Sequence, residues 1–163
     1  MSTNPYSHQT QRGGSGYQGQ RAGSGHGARD DRDEVPTLPL CGIVFGVRPA
    51  PDLFSTQAEQ AAEAVARATK DINKSSQLRR FYDELVMWQD KVGRDEAKFI
   101  DCEPYIRMLK AKVAYAKGRK HVDANFRALF ERLIDQSTDA ATLRQAKLFF
   151  EAFMAYYKIH RPQ

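Results

Sequence analysis

Pro104 to Lys120 reads PYIRMLKAKVAYAKGRK. Six of these residues are basic (Arg107, Lys110, Lys112, Lys117, Arg119, Lys120) and none is acidic. Tyr105, Ile106, Leu109, Val113 and Ala116 recur at helical spacing and share one stripe of a helix. Arg107, Lys110 and Lys117 fall on a neighbouring stripe. Proline is favoured at a first helical position, where its missing N–H costs nothing, so Pro104 predicts the start. Gly118 predicts the end, in a left-handed conformation. Such a helix packs on one side and offers only positive charge on another. A polyanion is the natural partner of that surface.

The same period continues on both sides. Upstream, Ser55 or Thr56 is a candidate cap for an Ala-rich helix running to about Asp71. Its shallow apolar side suits the edge of a bundle. A second helix is predicted from Lys74-Ser75-Ser76 to Gly93, with Leu78, Phe81, Tyr82, Leu85, Trp88 and Val92 on one face. Trp88, the single tryptophan, is read as core rather than as a platform for a base. Residues 95–103 are read as a connector with room for one helical turn around Lys98–Ile100. Downstream, Asp123 or Asn125 caps a helix that buries Phe126, Leu129, Phe130, Leu133 and Ile134. Ser137-Thr138-Asp139 breaks the chain and caps a last helix over 139–159. That helix is apolar over much of its circumference, so it is central in the bundle or partly buried by another chain, which would then cover part of Phe149, Tyr156 and Tyr157. No alternating strand pattern follows residue 55. The expected fold is all-α, a small bundle of four to five helices with a disordered N-terminal extension.

Residues 1–34 hold seven of the eleven glycines, with Ser, Gln and Arg, and nothing that builds a core. Residues 35–54 are apolar but carry four prolines and two glycines, which fits a short strand or an extended arm lying on the helices. The expected division is an extension over 1–54 and a helical domain over 55–163. The 163-residue chain has a formal net charge of +5. Residues 1–54 carry five Arg and five acids, so the excess lies in 55–163, with 20 basic and 15 acidic side chains. A basic domain favours nucleic acid or another acidic partner.

The residues of catalysis are scattered. The four histidines stand at 8, 26, 121 and 160, without a metal-binding spacing. His121 beside Lys120 and Asp123 is better read as a solvated residue than as an acid or base for RNA cleavage. Cys41 and Cys102 form no CxxC or Cys/His cluster and are read as reduced thiols. The expectation is a protein without catalytic activity, metal or cofactor. No apolar run approaches the roughly 20 residues of a membrane span, and the N-terminus lacks a signal pattern, so no membrane partner and a cytoplasmic location are expected.

Three stretches resemble the small subunit of type III-A CRISPR effector complexes, the Csm complex. They are Lys74-Ser75-Ser76-Gln77-Leu78-Arg79-Arg80-Phe81-Tyr82, then LKAKVAYAKGRK from Leu109 to Lys120, then LFFEAFMAYYK from Leu148 to Lys158. Their order and spacing over residues 74–160 agree with that family, while residues 1–54 have no counterpart in its pattern. The resemblance implies a non-catalytic helical bundle that stacks in several copies beside the backbone subunits and the large Palm-domain subunit. It implies a place along the channel where guide RNA pairs with target RNA. Phosphate contact there requires positive charge and no reading of bases. The candidate RNA-binding residues are Arg79, Arg80, Arg107, Lys110, Lys117, Arg119 and Lys120. Arg119, which follows the turn and can hold a phosphate with two donors, is the foremost. For Arg79 the competing reading is an ion pair with Asp83 at helical spacing. The alternative outside CRISPR systems is a basic helical nucleic-acid-binding or adaptor protein.

Overall fold

The computed structural model describes residues 35–162. The expectation of disorder for residues 1–34 lies outside them. Five helices follow a single π-helical turn at Leu53–Gln57. They are α1 (Ala58–Ala66), α2 (Ser75–Val92), α3 (Glu96–Gly118), α4 (Ala124–Gln136) and α5 (Ala140–His160). No strand occurs among the described residues.

The core forms where α2, α4 and α5 present their aromatic stripes to one another. Phe126, Phe130, Phe150 and Phe153 are fully buried. Phe81 meets Phe130 at a ring separation of 5.1 Å, and Phe150 meets Phe153 at 5.5 Å. Phe149 and Tyr157 also belong to this interior, at 0% and 1% exposure. They therefore serve the fold of one chain rather than a contact between chains. Tyr156 is half-buried.

Four expected boundaries shift. The π-helical turn already starts at Leu53, and neither Ser55 nor Thr56 caps α1. Helix α1 ends at Ala66, and its alanines are buried rather than peripheral: Ala58, Ala61, Ala62 and Ala64 lie in the core. Small side chains permit a close approach, here to α5.

Helix α3 does not start at Pro104. Asp95 caps it, accepting from the N–H groups of Ala97 (3.0 Å) and Lys98 (3.2 Å), so residues 96–103 are helix and not connector. Pro104 lies inside the helix on its exposed side. A proline there removes one helical hydrogen bond and strains the turn before it. Buried Phe99 and Cys102 on one side and Ile106 and Leu109 on the other hold both halves to the core.

The end of α3 also differs. Gly118 remains helical, and the left-handed residue is Lys120 at φ 58°. His121 N–H donates to Ala116 C=O at 3.0 Å and Lys120 N–H to Lys117 C=O at 2.9 Å. This is the paired pattern of a helix end that usually places glycine where Lys120 stands.

Helix α2 opens without the serine cap that Ser75-Ser76 suggests, since Lys74 stands at its N-cap and no side chain bonds there, whereas three other caps follow the sequence. Gly93 closes α2 at φ 61°. Asp123 accepts from Phe126 N–H at 2.8 Å. Asp139 and Thr142 form a reciprocal capping box, with Thr142 N–H donating at 2.6 Å. That bond holds the Asp139 carboxyl below the usual carboxylate range.

Residues ahead of the π-helical turn form an extended arm on α4 and α5. Leu38, Ile43 and Phe45 are buried. Amide side chains of the bundle satisfy the arm's backbone. Asn125 Oδ1 accepts from Thr37 and Leu38 N–H, and Gln136 Oε1 from Phe45 N–H. Gln145 both accepts from Gly46 N–H (3.0 Å) and donates to its carbonyl (2.7 Å).

Candidate nucleic-acid interface

The α1–α2 and α3–α4 loops meet at one end of the bundle, and Asn73 joins them. Asn73 is fully buried with φ 57°. Its N–H donates to His121 C=O at 3.0 Å, and its Nδ2 to Val65 C=O at 3.1 Å. Its Oδ1 accepts from Asp123 N–H at 3.0 Å, and its carbonyl from the Tyr157 hydroxyl at 2.5 Å. Burial pushes the Tyr157 phenol up, which keeps it a neutral donor. Arg161 completes the tie, donating to Ile72 C=O (2.9 Å) and Thr69 C=O (2.6 Å).

This junction sets the first turns of α2 beside the last turn of α3. Five of the seven sequence-predicted cations, Arg79, Arg80, Lys117, Arg119 and Lys120, therefore share one end of the molecule. All but Lys117, which is half-buried, are exposed. Arg79 Nε donates to Asp83 at 2.7 Å, as the ion-pair reading expects, and its guanidinium lies 5.2 Å from the Tyr82 ring. The bond to Asp83 raises the Arg79 pKa. Arg119 lies over Tyr115, 6.0 Å from the ring centroid. Its Nη1 is 3.4 Å from the tyrosine oxygen. An exposed surface pair of this kind contributes little to stability. What this end offers is five cationic side chains, four of them exposed.

The Csm2 Type III-A family model matches residues 49–163. The chain belongs to the Csm2 Type III-A family. It is thus a small subunit of the type III-A CRISPR effector, the Csm complex. The match reaches further toward the N-terminus than the three stretches that carried the resemblance, taking in α1 and the turn before it. No curated protein and no solved structure matches the chain.

In this Csm2-family bundle the other two predicted cations stand apart from the basic end. Arg107 reaches across to the end of α4, donating to Ile134 C=O (2.5 Å) and Ser137 C=O (3.1 Å). Its Nη2 also binds Glu103 at 2.9 Å. Lys110 pairs with Asp135 at 2.6 Å, and Lys112 with Glu84 at 2.5 Å. Arg107 braces α3 against α4, while the two lysine pairs are surface contacts across α3–α4 and α3–α2.

Sequence reasoning missed Asn73 and Arg161. Asn73 offered one signal: asparagine tolerates left-handed backbone, and it stands between two helical periods. Arg161 offered none, because its partners are backbone carbonyls about ninety residues away in sequence. Among the described residues no group of His, Cys, Asp or Glu has a metal-binding arrangement. No helix there is long and apolar enough to cross a membrane. Cys41 is an exposed free thiol and Cys102 a buried one.

Proposed function

We propose that this Csm2-family chain is a non-catalytic, cytoplasmic subunit that stacks in several copies along the guide RNA–target RNA channel. Its partners are the backbone subunits, the large Palm-domain subunit and further copies of itself. The basic end holds target RNA through sequence-independent phosphate contacts from Arg79, Arg80, Lys117, Arg119 and Lys120. The observation that carries the reading is the gathering of these cations at one end of a bundle of this family. Any target must be accepted, so phosphate contact suits the task and base contact does not. Arg107 is assigned to the fold, because its guanidinium is held by Ile134, Ser137 and Glu103, and Lys110 lies apart from the basic end beside Asp135.

Exposed Ile100 and Met108 on α3, and Val44 and Val47 on the arm, supply apolar surface for contacts with other subunits. A basic adaptor outside CRISPR systems has no support from the family match.

Purification of the tagged chain from its own host tests the proposal. Short guide RNAs, the Palm-domain subunit and the backbone subunits are the expected co-purifying species. Recovery of the chain alone, or with unrelated RNA, contradicts it.

A further inference from the structure

Trp88 was expected in the core, and Tyr105 on the buried stripe of α3. The structure puts both at the α2–α3 surface, Trp88 half-buried and Tyr105 53% exposed. Their rings stack at 5.6 Å between centroids and 12° between planes. Lys91 Nζ lies 5.2 Å from the Trp88 centroid. Beside this pair a cleft of about 450 Å³ opens, lined by Lys91, Lys98, Asp101, Cys102 and Tyr105. That volume is within the range of small-ligand sites, roughly 300–1,000 Å³. Neither lysine forms an ion pair within the described residues.

We infer that this cleft takes one base of single-stranded RNA, stacked on Tyr105, with the adjoining phosphates held by Lys91 and Lys98. The inference rests on the RNA-binding reading above and adds a site away from the basic end. An exposed aromatic ring flanked by two ammonium groups matches what a nucleotide presents, a flat π face next to a negative charge. Asp101 adds an acceptor at the cleft wall, which suits a ribose hydroxyl. The cleft is also aligned with the basic end. Lys98, Tyr105, Lys112 and Arg119 recur at intervals of seven along α3. Seven residues advance a helix by about 10 Å with little rotation, so the four form a line roughly 30 Å long. A strand entering at Arg119 reaches the stacking ring along this line, passing Lys112, whose charge is shared with Glu84.

The test uses the full chain at low salt. Binding of a short labelled oligouridylate is read by anisotropy, and unlabelled oligouridylate is titrated against Trp88 emission, the only tryptophan signal in the protein. Expected are quenching of Trp88, a dissociation constant about tenfold weaker in Tyr105→Ala, and near-parent affinity in Tyr105→Phe, which keeps the ring. Helical circular dichroism checks that both variants fold. Binding without quenching, and unchanged in Tyr105→Ala, overturns the stacking site while leaving the phosphate reading intact. No binding by the parent chain overturns both. A Trp88 response to the other Csm subunits but not to RNA assigns the cleft to protein contact and also overturns the inference.

Discussion

Asn73→Ala is expected to lower stability by about 4 kcal/mol, the largest single-residue effect predicted for this protein. The side chain makes two buried hydrogen bonds, donating to Val65 C=O and accepting from Asp123 N–H. Truncation strands the Asp123 N–H, at about 1–3 kcal/mol, and loses the bond to Val65 C=O, at about 1 kcal/mol, since that carbonyl still accepts from Ala68 N–H. Alanine at φ 57° adds roughly 1–2 kcal/mol, because its Cβ crowds the carbonyl in left-handed backbone. Asn73→Gly removes that strain but not the lost bonds, so it should recover part of the stability only. For a domain of this size about 4 °C accompanies each kcal/mol, which places the Ala variant about 15 °C below the parent in thermal melting. A loss under about 1 kcal/mol means that the two loops are not joined through Asn73. Because this residue ties Ile72 and Lys74 to His121, its loss should also loosen the basic end.

Arg107→Lys is the second. If Arg107 braces the fold, lysine should fail in its place, since one ammonium cannot span the Ile134 and Ser137 carbonyls and Glu103 together. A loss of about 2 kcal/mol, near 8 °C in melting temperature, is expected. RNA affinity should stay close to that of the parent, because the charge is kept and the side chain stands away from the basic end. The opposite pattern, unchanged stability with weakened RNA binding, makes Arg107 a phosphate ligand. The two readings of this arginine are thus separated by one conservative substitution and two measurements.

These residues also show where sequence reasoning reached its limit. The aromatic stripes of α2, α4 and α5 repeat at helical period, so Phe81, Phe126, Phe130, Phe150 and Phe153 were legible as core. Asp123 and Asp139 were legible as caps because a cap is a local device of side chain and nearby backbone. So was Gly93. Pro104 misled because proline is common at a helix start, whereas here the packing of Phe99 and Cys102 carries the helix through it. Gly118 misled because the left-handed position fell two residues later, on a lysine. The arm's docking was beyond reach, since its partners Asn125, Gln136 and Gln145 are nearly a hundred residues distant in sequence. Of the candidate site, charge and helical spacing disclosed the cations but not their grouping. The grouping depends on Asn73, which couples two loops through tertiary bonds. Trp88 and Tyr105 were read inward because each falls on the apolar stripe of its helix, and spacing alone does not tell the middle of a stripe from its exposed edge.

The central claim is that the basic end holds target RNA by its phosphates. It is tested most directly by the salt dependence of target-RNA binding to the assembled complex. The parent complex is compared with one carrying Arg80→Gln, Arg119→Gln and Lys120→Gln. Each neutralised phosphate on a single strand contributes about −0.7 to the slope of log affinity against log salt. Three lost contacts should therefore make the slope shallower by about 2 per engaged copy, with weaker binding at low salt. An unchanged slope and an unchanged affinity contradict the claim.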